Sequence, residues 1–345
     1  MMRFTEEETG DKNRQGKNTG AIFFRCIFLA FVIWLVFHKH LKEILENIGA
    51  MKAGSLVLIL AFGASYQLIS AAAFYLLVKK NNRDFTMRQS LESVYIGTFG
   101  TVAAFSVGAL PMRAYYHHTH NMEVGKALNL ITTDYILHKS SVLICNTCLI
   151  ILAGAGLLRE KTGIIKYVLF GYLICFAIIL ALLLVVFSEK VYSLLKRLAA
   201  LLPEKKNMKR IKEKIVHYLD TMHQCAEELE KNRNNLWMMI LLHCVKLLLM
   251  YAIPFVCFRS LSADSISFLE SQMLVGITNL VSSALPNVSG LGSTELAYLL
   301  VFSEFLEGPL VSSTLVLYRL ATYFFPFLIS VAVCGKIDRQ RIKTA

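Results

Sequence analysis

The sequence alternates between long apolar stretches and shorter polar, mostly basic segments. Six stretches of about 20 residues are almost free of charge, and each is long enough to cross roughly 30 Å of hydrocarbon as an α-helix. They are Ala21–Phe37, Gly54–Val78, Ile131–Leu157, Ile164–Phe187, Leu236–Phe258 and Val311–Val333. The pattern predicts an all-α fold, a polytopic membrane helix bundle.

The same pattern predicts how the chain is divided. We expect a polar N-terminus (residues 1–20), a single integral membrane domain (21–335) and a short tail (336–345). A basic connector, residues 190–235, interrupts the membrane domain. The first apolar stretch is not followed by a small-residue cleavage site, so we expect an uncleaved span and not a signal peptide.

Charge sets the expected orientation. The chain has 36 Lys and Arg against 24 Asp and Glu, a net charge of +12, and the basic residues gather between the apolar stretches. This distribution follows the positive-inside rule and argues against nucleic acid as a partner. The connector carries 11 Lys and Arg against 6 Asp and Glu, whereas the loop Arg259–Glu270 has one basic and two acidic residues. We therefore expect a cell-membrane protein with the connector and both termini cytoplasmic.

The segment Leu91–Leu110 is predicted to enter the membrane and return to the same side. It contains a glutamate and three glycines and ends before Pro111, which makes it a poor span. Three full crossings between Arg88 and Lys190 would also put the basic connector outside, against the positive-inside rule.

A second re-entrant segment is predicted at Phe268–Leu306, because the spans on either side of it run in opposite directions. Two half-helices, about Ser271–Ala284 and Ser293–Phe305, flank a break that contains proline and glycine. The tripeptide Ala-Leu-Pro occurs at both 109–111 and 284–286. Two such hairpins, entered from opposite sides, are typical of an inverted-topology repeat whose breaks meet near the midplane.

Ionisable side chains inside a membrane are costly and usually face a cavity or a partner. Arg319 lies inside the last apolar stretch. Its planar guanidinium suits a phosphate or carboxylate ligand. The alternative is a structural salt bridge with Glu295. That carboxylate falls in the first turn of the second half-helix, where the helix dipole stabilises it, so it serves either as a cap or in substrate coupling.

The start of that half-helix has two further candidate features. The hydroxyl of Ser293 or Thr294 is expected to cap exposed amides. Gly290 and Gly292 either allow the backbone to approach a ligand or simply form the turn.

The first half of the chain also contains ionisable residues that are candidates for the site. Arg113 follows the first break, where it is either a second anion contact or a residue that snorkels to the interface. Asp134 and His138 share a helical face at i,i+4 spacing. They form either a buried cluster with Arg113 or Lys139, or a proton relay.

The sequence gives little support for a bound metal or cofactor. His117-His118-x-His120 lacks a carboxylate or cysteine to complete a ligand set, so we expect an interfacial position and no metal. A Walker loop, a dinucleotide fingerprint and a Gly-x-Ser-x-Gly elbow are missing from the sequence, and we expect no cofactor and no ATP-driven step.

The stretch 196–214 of the connector mixes basic residues with leucine and isoleucine. This favours an amphipathic helix on anionic lipids, with a solvated linker helix as the alternative. The connector is too short for a catalytic domain of its own.

Two motifs carry a resemblance. Pro286-x-x-x-Gly290-x-Gly292-x-x-Glu295, followed by Leu317-Tyr318-Arg319-x-x-Thr322-Tyr323-x-x-Pro326, resembles the lysylphosphatidylglycerol synthase transmembrane-region family, the flippase-like domain of bacterial multiple peptide resistance factors. Asn287-Val288-Ser289 replaces part of that family's glycine run. The resemblance extends over about residues 20–335 but depends mainly on the last 60.

From residues and resemblance together we expect a substrate site with a supporting polar shell of Asp134, His138 and Thr322. The expected substrate-binding residues are Arg113, Pro286, Gly290, Gly292, Ser293, Glu295, Tyr318 and Arg319.

The resemblance implies translocation of a phospholipid or lipid-linked headgroup, such as aminoacylated phosphatidylglycerol, across the cell membrane. Full-length peptide resistance factors carry an aminoacyl-transfer domain after this region, and we expect no such domain here because the sequence ends at Ala345. The alternatives are a membrane subunit whose lipid aminoacyltransferase or glycosyltransferase partner is a separate chain, and a small-molecule or ion transporter. The sequence leaves the oligomeric state open, a homo-oligomer included.

Overall fold

The computed structural model describes residues 51–80, 82–103, 108–160, 165–201, 233–261, 266–285 and 291–344, with isolated positions between 46 and 49 and between 212 and 223. The helices in these ranges are α1 (Ala53–Lys79), α2 (Met87–Ala103), α3 (Ala109–His118), α4 (Val124–Glu160), α5 (Ile165–Phe187), α6 (Glu189–Ala200), α7 (Arg233–Ser260), α8 (Phe268–Ala284), α9 (Ser293–Phe302), α10 (Gly308–Arg319) and α11 (Phe325–Thr344). A short π-helical segment, Leu320–Phe324, joins α10 to α11. The predicted first span and the polar N-terminus lie outside the described residues.

Five of the predicted spans are confirmed as helices long and apolar enough to cross a membrane. They lie at Ala53–Lys79, Val124–Gly154, Val168–Val185, Asn235–Ser260 and Gly308–Ile337, the last combining α10, the π segment and α11. The described residues contain no β-strand. The protein is thus an all-α, multi-pass membrane protein. Large apolar side chains on its outer helices, such as Ile151 and Leu173, are well exposed, as expected of a surface that faces lipid.

The first predicted re-entrant segment forms two helices, α2 and α3, that pack against each other. A Cβ on Gly100 would lie 2.6 Å from the carbonyl oxygen of Gly108, so glycine permits this close approach. Between Arg88 and Lys190 only α4 and α5 qualify as spans among the described residues. Two candidate spans agree with the charge pattern, and the re-entrant course of the α2–α3 pair stays a prediction.

The second predicted re-entrant segment forms α8 and α9, within three residues of the expected bounds. Ser267 and Glu270 cap α8 reciprocally, each accepting from the other's backbone N–H. The Ser282 hydroxyl lies 3.2 Å from that of Ser293 and 3.0 Å from that of Thr294, which ties the two helices together.

The Ala-Leu-Pro match does not align the two helix pairs. Residues 109–111 form the first turn of α3, after the first break, whereas Ala284 ends α8, before the second break. The inverted repeat therefore stays a prediction that this tripeptide does not support.

The π-helical turn follows Arg319 directly and ends just before Pro326. Proline lacks an N–H and its ring crowds the carbonyl four residues earlier, so a wider turn at this point relieves the conflict. A Cβ on Gly63 of α1 would lie only 2.2 Å from the Ala321 carbonyl oxygen. The wide turn and the glycine together bring α1 and the last span into backbone contact.

The core of the bundle is built around α7, which packs along α1 and against α4 and α8. The largest buried cluster contains Tyr251, Met273 and Tyr298, together with many aliphatic side chains from α7 to α10. Because apolar packing surrounds α7 on these sides, His243 and Lys246 of this helix are buried within the bundle, and Arg319 of the last span is buried as well.

Only part of the connector is described. In α6, Lys196 forms an ion pair with Asp220 at 2.8 Å, and Tyr192 donates a hydrogen bond to the same carboxylate. Partial burial opposes ionisation of Asp220, but these two hydrogen bonds outweigh it and hold the pKa of the carboxyl below its usual value. Residues 202–211 and 214 lie outside the described residues, so binding of anionic lipids by the stretch 196–214 stays a prediction.

Candidate functional site

Arg319 and Glu295 form a close, buried ion pair. The Arg319 Nε lies 2.6 Å from the Glu295 Oε1, and the two side chains are 8% and 6% exposed. This is the salt bridge that the sequence offered as the alternative to ligand contact. The guanidinium carries further N–H groups on its two Nη atoms, so pairing through Nε does not by itself exclude an anionic ligand.

The other oxygen of Glu295 holds the start of α9. Gly292 has a φ of +95°, a conformation that favours glycine, and its backbone N–H donates to the Glu295 Oε2 at 2.7 Å. The expectation that Ser293 or Thr294 caps this helix was wrong. Gly292 is the N-cap, and both hydroxyls bond to Ser282 instead. Glu295 therefore receives a backbone donor, the helix dipole and the Arg319 guanidinium at once.

Three residues of the last span complete this side of the site. The Arg319 guanidinium carbon lies 4.5 Å from the centre of the Tyr323 ring, a cation–π contact. Tyr318 is 4% exposed and stacks on Tyr298. Thr322 donates to the Tyr318 carbonyl at 2.8 Å, which satisfies an acceptor at the start of the π turn.

A cavity of about 210 Å³ adjoins the pair. At about 30 Å³ per water molecule, the cavity has room for roughly seven waters or for a phosphate group and the atoms bonded to it. Its lining joins residues from α1, α4, α7, α8, α9 and the last span: Gly63, Tyr66, His138, Met250, Thr278, Asn279, Thr294, Tyr318, Arg319 and Thr322. Six separate elements thus converge on one space, whose surface is about half polar and half apolar.

Arg113 occupies a second buried polar cluster. Its Nη1 lies 3.6 Å from the Asp134 Oδ2, its Nε donates to the Ser93 hydroxyl at 3.2 Å, and its guanidinium carbon lies 4.3 Å from the centre of the Phe74 ring. A Cβ on Gly97 would lie 2.8 Å from the Arg113 Cδ, so glycine leaves room for this side chain. Arg113 is 13% exposed and makes its contacts inside the bundle, unlike a snorkelling residue.

Asp134 joins this cluster to the histidines. The His243 Nε2 lies 3.4 Å from the Asp134 Oδ1, and the rings of His243 and His138 lie 5.7 Å apart. His138 lines the cavity, while Asp134 pairs with Arg113. The predicted grouping of Asp134 with Arg113 is therefore present, and His243 enters it from α7.

Two lysines lie close to the same interior. Lys246 is 4% exposed, and its Nζ lies 5.1 Å from the centre of the Tyr66 ring, which lines the cavity. The Lys139 Nζ donates to the Ser283 hydroxyl at 2.8 Å, near the end of α8.

The structure brings together most of the predicted site residues. Arg319 and Tyr318 line the cavity and Glu295 pairs with Arg319, whereas Arg113 and Asp134 form the neighbouring cluster. Pro286 and Gly290 lie outside the described residues. The triple-histidine segment makes local contacts instead: the His117 Nε2 lies 2.8 Å from the Ser93 hydroxyl, and the His118 and His120 Nδ1 atoms lie within 3.3 Å of nearby backbone carbonyls.

Among the cavity-lining residues that went unrecognised in the sequence are Gly63, Tyr66 and Asn279. Each lies in the middle of an apolar helix, where a glycine, a phenol or an amide is conspicuous. Asn279 donates to the Tyr251 hydroxyl at 3.2 Å as well as lining the cavity. These residues could therefore have been noticed in the sequence, although the sequence does not reveal which helices meet.

With this arrangement established, the family is decided by the sequence match. Residues 22–330 match the family described as lysylphosphatidylglycerol synthase TM region. The chain belongs to this family. Lysylphosphatidylglycerol synthase TM-region proteins are tied by that description to lipid chemistry in membranes, and the five spans of this member agree with a multi-pass membrane location. No curated protein matches the sequence closely enough to count as a relative.

Proposed function

We propose that this member of the lysylphosphatidylglycerol synthase TM-region family moves a phospholipid or lipid-linked headgroup across the cell membrane. The supporting observation is the cavity of about 210 Å³ beside the buried Arg319–Glu295 pair, within a bundle whose outer surface is apolar. The family description makes an aminoacylated phosphatidylglycerol one example of such a lipid.

The chemistry of the cavity suits a phosphate. Arg319 presents planar N–H donors, and hydroxyls from Thr294, Thr322 and Tyr318 surround the same space. A headgroup in such a site exchanges water for charged and polar partners, which lowers the cost of crossing the hydrocarbon. The acyl chains would stay in the lipid outside the bundle.

The two broken helix pairs supply the movement in this proposal. The pair α2–α3 contributes Arg113, and the pair α8–α9 contributes Glu295, so each pair brings one charged residue to the interior. Small displacements of these pairs would open the cavity to one side and then to the other. Because we expect no ATP site, the movement would run downhill or be coupled to an ion.

The test is lipid exchange between leaflets of vesicles containing only the purified protein. We expect faster exchange of a headgroup-labelled phospholipid than in protein-free vesicles, and we expect Arg319→Ala to abolish it. Because that variant leaves Glu295 buried without its partner, the double variant Glu295→Gln with Arg319→Gln serves as a second inactive form that keeps the interior neutral.

Arg259→Ala is the matched control, since Arg259 lies at the far end of α7 and contacts Phe255 outside the cavity. It should exchange lipid at the wild-type rate. Wild-type exchange by a folded Arg319 variant would contradict the proposed site.

A further inference from the structure

Two histidines from neighbouring spans lie next to each other beside the cavity. The rings of His138 on α4 and His243 on α7 are 5.7 Å apart, and His138 lines the cavity. Among the described residues, the buried Nδ1 atoms of both rings have no hydrogen-bond partner. Nearly all buried polar atoms in proteins are hydrogen-bonded, so two unpaired nitrogens in adjacent rings call for an explanation beyond packing.

His243 connects this pair of rings to a carboxylate. Its Nε2 lies 3.4 Å from the Asp134 Oδ1, and the other oxygen of Asp134 lies 3.6 Å from the Arg113 Nη1. His243 is 1% exposed, so His138 is the ring that meets the cavity. Chains of histidine and carboxylate inside a membrane are typical of proton pathways, because imidazole gains and loses a proton near neutral pH.

The charged groups around the two rings come from several elements. They are Asp134 and Lys139 of α4, Lys246 of α7, Arg113 of α3 and, at the cavity, the Arg319–Glu295 pair. Two of the cations, Lys139 and Lys246, act directly on His138, whereas His243 has the Asp134 carboxylate beside it. A proton on His138 therefore adds to positive charge unless an anion enters the cavity.

An anionic phosphate in the cavity would change this balance. It would lie against His138, which is part of the lining, and offset the lysine charges that act there. A proton on His138 would in turn give the phosphate a charged hydrogen-bond donor. Each of the two, the proton and the phosphate, thus strengthens the binding of the other, and this effect is reciprocal.

We propose that the His138–His243 pair takes up one proton together with an anionic headgroup, and that the two cross the membrane in the same direction. This rests on the proposed function and names the ion to which lipid movement is coupled. The proton comes from water on the side to which the cavity is open, binds a ring nitrogen, and returns to water on the other side. A phosphodiester carries one negative charge, so headgroup and proton together are neutral and the membrane potential does no net work on them.

The test is the distribution of a trace of headgroup-labelled phosphatidylglycerol in proteoliposomes with a pH difference of one unit. Valinomycin and equal potassium on both sides hold the membrane potential at zero. We expect the label to accumulate in the leaflet that faces the more alkaline side, up to a ratio of about tenfold, because one pH unit is a tenfold ratio of proton concentration, or about 1.4 kcal/mol. A potential imposed without a pH difference should leave the ratio at one.

Substitution of His138 identifies the carrier of the proton. In His138→Gln we expect the final ratio to fall to about one, because the side chain at the cavity no longer takes up a proton. The final ratio does not depend on how fast the variant exchanges lipid. His118→Gln is the matched control and should keep the wild-type ratio, since His118 is exposed on α3 and contacts the Met122 carbonyl outside the cavity. Size-exclusion profiles and Tm values confirm that each variant is folded.

A second measurement does not depend on transport. Short-chain phosphatidylglycerol added to the detergent-solubilised protein should cause uptake of up to about one proton per chain, followed with a pH indicator in weak buffer. The His138→Gln variant should take up none. If that variant exchanges no lipid at all, this measurement decides, and uptake equal to the wild type would overturn the assignment to His138.

The outcomes separate the two proposals. If no lipid exchanges faster than in protein-free vesicles, the proposed function fails and the coupling fails with it. If lipid exchanges but its ratio stays at one under the pH difference, or if His138→Gln still accumulates it tenfold, only the proton coupling is overturned. Passage of glycerophosphoglycerol, the headgroup without acyl chains, in the absence of lipid exchange would assign the cavity to a soluble anion and overturn both.

Discussion

Glu295 joins two parts of the site through its two carboxylate oxygens. One oxygen receives the Arg319 guanidinium at 2.6 Å and the other receives the Gly292 amide at 2.7 Å. A single side chain thus fixes both the start of α9 and the direction of the arginine. Because both charges are buried, loss of either partner leaves the other uncompensated.

The Glu295→Gln variant separates these two tasks. The glutamine carbonyl can still accept the Gly292 amide, but it leaves Arg319 without its counter-charge. We expect the free energy of unfolding to fall by about 3–5 kcal/mol, measured by denaturant titration in mixed micelles. The double variant with Arg319→Gln should recover most of that loss. If the two single substitutions simply add, the pair is not coupled and its structural role here is wrong.

Gly292 has a backbone conformation that other residues rarely adopt. Among the described residues a Cβ would meet no atom within 4 Å, so the cost of adding one comes from the positive φ of +95°. We expect Gly292→Ala to reduce the free energy of unfolding by about 1–3 kcal/mol, with folding otherwise intact. Gly335→Ala is the control, because its Cβ also meets no described atom within 4 Å and alanine favours a helix. Equal stability of the two variants in a thermal melt would count against the strained cap.

Helix α1 meets the π-helical segment more closely than ordinary side chains allow. Gly63 permits that contact, and Tyr66, one turn later, enters the cavity lining. The packing of these two elements therefore sets the position of the Tyr66 ring, over which the Lys246 ammonium lies.

Two glycines of α1 provide a matched test of this contact. A Cβ at Gly63 would lie 2.2 Å from the Ala321 carbonyl oxygen, whereas at Gly54 it would meet nothing within 4 Å among the residues that the structure describes. We expect Gly63→Ala to push the helices apart, to lower the Tm by several degrees and to slow lipid exchange. Gly54→Ala should keep the wild-type Tm and exchange rate, or raise the Tm slightly, since alanine is the better helix former. A Gly63 variant with wild-type Tm and exchange would show that the contact is not required.

Helices and spans were largely predictable, whereas their contacts were not. Long apolar runs predict membrane spans because a helix that crosses the hydrocarbon must be apolar along its length. The proline and glycine break predicted the bounds of α8 and α9. In the sequence, Pro326 was the only sign of the π turn. A nearly uniform apolar run does not reveal which residues share a helical face. The cap predicted at Ser293 or Thr294 was wrong because both hydroxyls bond across to Ser282, a contact between helices.

The same limit applied to the candidate site. Arg319 and Glu295 stood out because charge in an apolar run is costly. The place of Lys246 beside Tyr66 depended on how α7 packs along α1, which the sequence does not state.

The arrangement of the whole chain in the bilayer follows from the two helix pairs, each of which is predicted to begin and end on one side. We expect single cysteines at Lys80 and Thr119, on either side of the α2–α3 pair, to react with an impermeant thiol reagent only from the cytoplasm. Cysteines at Ser267 and Glu304, which flank the α8–α9 pair, should react only from outside.

All four positions carry exposed side chains, so accessibility in the folded protein is not limiting. A background without native cysteines is required, since the chain has eight. If the two members of either pair react from opposite sides, that helix pair crosses the membrane and the re-entrant arrangement is wrong.

The central claim is that a lipid headgroup passes through the cavity beside Arg319. The most direct measurement is photo-cross-linking with a phospholipid that carries the reactive group on its headgroup, followed by identification of the labelled peptides. We predict labelling of cavity residues such as Tyr66, Met250 and Tyr318, and its loss in a folded Arg319 variant. Headgroup labelling confined to the outer apolar surface, for example at Leu169 and Leu173, would contradict the account.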